Sequence, residues 1–336
     1  MDILVIGCGV SGLTTGVRLA EAGHSVTIWA ANLPGQSNTG TSTTTAPSTI
    51  TSEVAAAVWY PYKAYPQDRV NAWGATTYNV LHQLAAQEPS EAHGIILSTV
   101  MEVFPQPTAD PWWLPAVAAT FRHAYPDELP PGYTDGYVFQ APVADMSIYL
   151  GYLQRRFTGL GGAIVERTIS GLDQALAECP IVVNCTGLGS RALLSDTLLY
   201  PSLGQVVRIR KQEAFQRVVL DDYGPNKVAY IVPRLHDVVL GGIDDEHNEN
   251  LVPDPEVTAS ILRRCGNLVA QISHIQPEDV LSVVCGLRPA RSEVRLELEE
   301  ISAGRWVVHN YGHGGAGVTL SWGCAAEVVD LIGGVR

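Results

Sequence analysis

The opening stretch MDILVIGCGVSGLTTGVRLAEAGHSVTIW (residues 1–29) decides the fold. Residues 3–6 form a short apolar run of strand type, and Gly7-Cys8-Gly9-Val10-Ser11-Gly12 follows at once. Leu13, Val17, Leu19 and Ala20 then mark the packed side of a helix, and residues 25–29 read as a second strand. Strand, GxGxxG turn, helix and strand in that order predict a dinucleotide-binding βαβ unit. Gly7 permits the tight turn, Gly9 lets backbone approach a pyrophosphate, and Gly12 lets the helix lie close to the strand. The helix N-terminus turns its unpaired N–H groups toward the phosphates.

The motif does not choose the dinucleotide. NAD-binding units usually carry an Asp or Glu at the end of the second strand to hold a ribose hydroxyl. Here residues 27–32 read TIWAAN, with no acid. Asn32 is left to bond a ribose, and its amide is a weaker acceptor than a carboxylate. The rest of the chain must name the cofactor.

At 336 residues the chain favours about two domains. A composition 46% hydrophobic and 16% charged is globular, with enough apolar residues for a sizeable core. The 21 basic against 34 acidic residues leave a formal charge of −13, which argues against nucleic acid and anionic membranes as partners. Met1 leads straight into the first strand, so no signal peptide is expected. The apolar runs fall short of the ~18 residues a membrane span needs. The six cysteines are scattered without CxxC spacing and read as buried small residues, not as a disulfide frame or metal site. A soluble cytoplasmic protein is expected, and whether it forms a homo-oligomer is left open.

Residues 35–51, rich in Ser, Thr, Gly and Pro, read as a loop. Thr51 and Ser52 precede a helical start at residues 53–57, where their hydroxyls suit a helix cap, a pyrophosphate contact, or both. An amphipathic helix is predicted over 70–88, followed by a Pro- and aromatic-rich region with short β pieces at 99–104 and 136–140. Helical periodicity returns over 146–157, then strands at 162–165 and 180–187 that rejoin the parallel sheet. Alternating segments between 204 and 240 predict antiparallel strands, and 254–272 a helix. The chain closes with a strand at 306–310, a glycine-rich turn at 312–317 and a helix over 319–331.

These pieces together resemble the D-amino-acid oxidases, FAD enzymes of the wider flavin amine-oxidase group. The resemblance is carried by the GxGxxG unit, VAAAVWYPY (54–62), VVNCTGLG (182–189), YIVPR (230–234) with GLRPAR (286–291), and VHNYGHGGAGVTLSWG (308–323). It implies an α/β fold: a Rossmann-like FAD-binding domain of non-contiguous segments (1–62, 146–200, 282–336) and a mainly antiparallel substrate domain (63–145, 201–281). It also implies oxidation of D-amino acids by hydride transfer to N5 of non-covalent FAD, giving 2-oxo acids, ammonia and hydrogen peroxide. Arg288 matches the arginine that pairs the substrate carboxylate, a task suited to a bidentate guanidinium fork. The alternative for an arginine here is an interdomain salt bridge, which suits Arg291 better. Tyr230 matches a second carboxylate ligand, and Gly315 the carbonyl that accepts from the substrate amine. Val58, Tyr60 and Val232 match the side-chain space.

For the cofactor, the resemblance implies pyrophosphate contacts at Gly7, Gly9, Val10, Ser11 and Gly12, with Asn32 at the ribose. Thr51, Ser52, Ala55, Ala56 and Trp59 match the stretch along phosphate and flavin, and Ile169 an apolar contact of the adenine-binding strand. Thr186, Gly187 and Gly189 match a second contact turn. Arg288 borders the ring, and Gly314, Gly315, Gly317, Val318 and Thr319 lie along its pyrimidine edge, where developing negative charge needs donors. His309 and His313 read as structural.

The chain also departs from the family pattern. The segment 221–228, where a lid is expected, is short, and Asn226 stands where a tyrosine is common. A more open pocket and faster product release are expected from it. Asp244, Asp245 and Glu246 follow Gly241-Gly242, and an acidic cluster would repel a dicarboxylate. Neutral, bulky or basic D-amino acids are therefore expected over D-aspartate. The rival readings are a glycine or sarcosine-type oxidase with a narrower pocket, a non-catalytic FAD-fold binding protein, and a NAD-dependent dehydrogenase.

Overall fold

The computed structural model describes residues 1–35 and 50–335, so residues 36–49 of the Gly35–Ile50 loop lie outside the described residues. β1 (Asp2–Ile6) leads into α1 (Val10–Glu21), and β2 (Ser25–Ala30) returns beside it. A single turn α2 (Thr51–Val54), a long α3 (Gln67–Gln87) and a short α4 (Ser90–His93) follow. β3 (Ile95–Phe104), β4 (Arg122–His123) and β5 (Asp135–Ala144) come next. The chain then runs through α5 (Met146–Gly159), β6 (Ala163–Glu166), α6 (Leu172–Glu178), β7 (Ile181–Asn184) and α7 (Gly189–Leu194). The next stretch holds β8 (Tyr200–Arg210), β9 (Val218–Asp221), β10 (Ala229–Pro233), β11 (Asp237–Gly241), β12 (Asp245–Glu246) and α8 (Pro255–Leu268). β13 (Val280–Ala290), β14 (Arg295–Ser302), β15 (Arg305–Tyr311) and α9 (Gly317–Gly333) complete it.

Among the described residues the strands form two sheets. The first runs β14-β15-β7-β1-β2-β6, with β1 parallel to β2 and to β7. Ile6 lies level with Trp29 and Asn184, so the carboxyl ends of these strands form one edge, where doubly wound sheets take their ligands. The second sheet runs β12-β8-β11-β10-β9-β3-β5-β4, with β13 on β8, and is antiparallel except where β3 meets β9.

α9 holds the first sheet's core together, packed against both α1 and α3. The stretch Gly314–Gly333 is long and apolar enough by composition to cross a membrane, which the sequence reading did not anticipate. Most of it is buried inside the protein: Leu320, Trp322, Cys324 and Val328 are fully enclosed, and the Trp322 indole donates to the Tyr149 hydroxyl at 2.7 Å. An apolar helix buried over most of its length, with its acids Glu327 and Asp330 toward the outside, is a core helix.

Several expectations need correction. The alanine run at 53–57 is not a helix: α2 stops at Val54, and Ala57 and Trp59 exchange backbone hydrogen bonds with Ala144 and Pro142 at the end of β5. β13 belongs to the second sheet as far as Ala290, so the return to the first sheet falls after that residue and not at 282. α3, assigned from sequence to the substrate domain, packs its Val70, Trp73, Leu81 and Leu84 into the core of the first. α9 begins at Gly317, two residues earlier than expected, and α8 ends at Leu268, four residues early. β14 escaped the sequence reading because four of its eight residues are charged, as an edge strand allows.

Candidate active site

One continuous cavity of about 960 Å³ runs from the Gly7–Ser11 turn to Arg288 and Tyr230. At the first end Gly7 has φ 112°, a left-handed conformation that favours glycine, and a Cβ there would overlap the Cys185 carbonyl. A Cβ on Gly9 would come within 3.2 Å of the Ser52 hydroxyl oxygen. That oxygen accepts from Val10 N–H at 3.1 Å, so Ser52 caps α1 instead of its own turn. Thr51 lines the cavity too, with its hydroxyl donating to Leu287 O at 2.7 Å. Beyond β2, Asn32 lines the cavity beside Arg167, whose guanidinium stacks 3.8 Å from the Trp29 ring centre. These residues offer the sugar and phosphate end a cation and an amide in place of the missing acid. Backbone open at the glycines, a helix N-terminus and a long cavity fit an extended dinucleotide.

The other end is built by the second sheet. β10 brings Tyr230 level with Leu220 of β9, and β13 brings Arg288 level with Ser202 of β8. Arg288 Nη1 donates to Ile243 O at 3.0 Å and to Leu203 O at 3.4 Å. Both of these bonds leave from Nη1, with the Tyr230 hydroxyl as a further side-chain partner of the guanidinium, which leaves the Nη2 edge for a carboxylate. Glycines make room for both groups. A Cβ on Gly204 would lie 2.7 Å from Arg288 Nη2, and one on Gly241 would overlap the Tyr230 ring. Burial pushes the Tyr230 phenol up, while the Arg288 charge pulls it back.

The expected acidic repulsion from 244–246 is largely cancelled. Asp244 is bonded to Lys63, Ser202 and the Tyr62 hydroxyl, and its carboxylate lies 3.7 Å from Arg288 Nη1. Burial alone would raise this acid, but Lys63, Ser202 and Arg288 hold it below its usual range. Asp245 and Glu246 are exposed on β12. Two other acids matter more. Glu102, fully buried on β3, accepts from the Tyr60 hydroxyl at 2.6 Å, and burial pushes it up to about 8. Asp222, just past β9, lines the cavity itself, pushed up to about 7 by burial and then by Asp221.

The segment 221–228 is short and also tied down. Asp221 accepts from Gly224 N at 2.5 Å, from Asn226 N at 3.0 Å and from the Tyr133 hydroxyl. Asn226 is buried, donating to Tyr133 and accepting from Asn267. At the start of α9, Thr319 Oγ1 accepts from Tyr60 N at 3.1 Å and donates to Tyr60 O at 3.0 Å, clamping α9 to the 58–62 segment. His313 is buried against Asn310 and held down to about 4, hence neutral; His309 is buried between Asn184 and Glu299. Arg291 pairs with Asp196 at 3.1 Å.

The cavity gathers most of the residues singled out from sequence: Gly7, Gly9, Val10, Ser11, Asn32, Thr51, Ser52, Ala55, Ala56, Val58, Tyr60, Ile169, Thr186, Gly187, Gly189, Tyr230, Arg288, Gly314, Gly315, Gly317, Val318 and Thr319. Three do not line it. Trp59 is a core residue, 5.2 Å from the Tyr78 ring, with its indole donating to Gly74 O. Val232 is fully enclosed in the same aromatic cluster. Gly12 acts through packing, because a Cβ there would overlap the carbonyl of Gly7. Ile169 reaches the cavity from the loop after β6, not from a strand. Sequence reasoning missed Val206, Leu220 and Asp222 on the cavity wall.

A family profile described as FAD dependent oxidoreductase (DAO) matches residues 2–331. A D-amino-acid oxidase of Rubrobacter xylanophilus is 44% identical over 331 residues, 98% of this chain and 95% of the relative. One of Dictyostelium discoideum is 40% identical, covering 99% of this chain and 91% of the relative. The chain belongs to the D-amino-acid oxidase family of FAD-dependent oxidoreductases. Its cofactor is FAD, which agrees with the missing ribose acid and with the glycine turn before α9. Among solved structures, glycine oxidases of Bacillus cereus and Geobacillus kaustophilus share the fold. Their TM-scores are 0.73 and 0.74, at 18% and 16% identity, each covering 100% of this chain and 95% of the other.

Proposed function

We propose that the protein oxidises D-amino acids to 2-oxo acids, with ammonia and hydrogen peroxide as the other products. The observation that carries this reading is the joining of the glycine cradle and the Arg288–Tyr230 pair in one cavity. FAD, when bound, supplies the two-electron acceptor and returns those electrons to oxygen. Gly7, Gly9, Ser11 and Ser52 would hold its phosphates, and the 314–319 turn would meet its ring edge. The open edge of Arg288 receives the substrate carboxylate, and the Tyr230 hydroxyl adds a second bond. The Gly315 carbonyl accepts from the amine. With carboxylate and amine both held, the α-carbon is fixed in one orientation, which is how such a site selects a configuration. Val58, Val206 and Leu220 shape the side-chain space.

Anaerobic mixing with D-alanine should bleach the visible flavin band, and air should restore it with release of peroxide. L-Alanine should leave the band unchanged. Bleaching by L-alanine, or by glycine far better than by D-alanine, would reject the reading. D-Aspartate should show a lower kcat/KM than D-valine in the aerobic assay, since Val58, Val206 and Leu220 line the side-chain space and would desolvate its second carboxylate without a partner.

A further inference from the structure

We propose that Asp222 is a specificity-determining residue that makes the cavity accept D-amino acids with a straight, cationic side chain, of the D-lysine and D-ornithine kind. The inference rests on the D-amino-acid reading above and adds a substrate class to it.

The position of Asp222 follows from strand register. Tyr230 of β10 sits opposite Leu220 of β9, and both line the cavity. Two residues on from Leu220 the chain faces the same side again, so Asp222 continues this wall, roughly 7 Å further along. A substrate held at Tyr230 and Arg288 thus meets Leu220 first and the carboxylate later. That order of apolar stem and polar end is what a lysine-like side chain presents.

Lys63 and Arg288 act on Asp222 only through space, and each is bonded elsewhere. Lys63 is bonded to Asp244. Arg288 donates to two carbonyls and faces the substrate carboxylate. Glu102 is occupied by Tyr60, Tyr62 by Asp244, and Asp221 by the loop that follows it. Tyr223, largely exposed, stacks its ring on Phe104 at 5.8 Å and bonds toward Tyr60. Among the described residues Asp222 has no hydrogen bond or ion pair of its own, although it lines the cavity. A carboxylate with no bonded partner in a mostly apolar cavity favours a substrate that brings a cation.

The test uses a matched pair. D-Lysine and D-norleucine differ by the terminal ammonium, so the ratio of their kcat/KM values isolates the contact. The holoenzyme is expected to oxidise both, and Asp222→Asn should lower the lysine-to-norleucine ratio by about tenfold or more. An unchanged ratio, with both substrates slowed equally, would overturn the proposal and place Asp222 against the α-ammonium instead. If the variant does not fold, the wild type decides. Deprotonation of Asp222 should make the ratio climb as pH rises through about 7, whereas a flat ratio overturns the inference. Failure to oxidise D-norleucine at all would strike the D-amino-acid reading itself, a different result from a ratio that does not move.

Discussion

Arg288→Leu is expected to cut kcat/KM for D-alanine by about a thousandfold, most of it as a higher KM. Each charge-assisted hydrogen bond contributes about 1.5–3 kcal/mol. A bidentate pair therefore loses about 4 kcal/mol, and each 1.36 kcal/mol is roughly tenfold. Arg288→Lys should recover little of this, because an ammonium cannot keep one edge on the Leu203 and Ile243 carbonyls while presenting a second edge to a carboxylate. Gly204 strengthens the point: a Cβ there would press on the guanidinium, so the backbone of β8 has been left bare to seat it. Steady-state kinetics on both variants checks the claim, with the flavin spectrum and thermal midpoint as folding controls. A loss smaller than tenfold would mean that the carboxylate is held elsewhere.

The residues that sequence could name are those whose backbone or chemistry admits few substitutes. Gly7 needs its positive φ, and Arg288 has the one side chain with a planar fork. Errors arose where the answer depended on which face of an extended segment points inward. Residues 58–60 alternate, so Val58 and Tyr60 reach the cavity while Trp59 turns into the aromatic core. An alanine run has high helix propensity, and nothing local says that residues 55–57 will pair with the end of β5 instead. Val232 shares a strand face with Tyr230 but lies two residues deeper, under the aromatic cluster. Asp222 could not be placed at all until β9 was set in register against β10.

The second large effect concerns a glycine that touches no ligand. Gly12→Ala is expected to give a protein that purifies colourless or unfolds far below the wild-type midpoint. In the structure a Cβ at residue 12 would overlap the Gly7 carbonyl oxygen, with its carbon at 2.8 Å and the Cys185 Cβ at 3.5 Å. None of these neighbours is the far end of a flexible side chain. The Gly7 carbonyl belongs to the turn itself, and a Cβ on Gly7 would in turn overlap the Cys185 carbonyl at the end of β7. Relieving the clash means moving α1 away from β1 or shifting the turn, and both displace the N–H groups of the first helical turn. Overpacking against backbone costs about 1–3 kcal/mol or more, a large share of a domain's stability. Gly9→Ala separates packing from cofactor contact. Its Cβ would meet only the Ser52 hydroxyl, at 3.2 Å, so the fold should survive while FAD affinity falls. Thermal unfolding with and without added FAD distinguishes the two. Excess FAD should largely restore the Gly9→Ala midpoint and leave that of Gly12→Ala depressed, because ligand binding adds stability only to a chain that can still form the cradle. A Gly12→Ala protein with wild-type colour and midpoint would show that α1 and β1 are not in close contact.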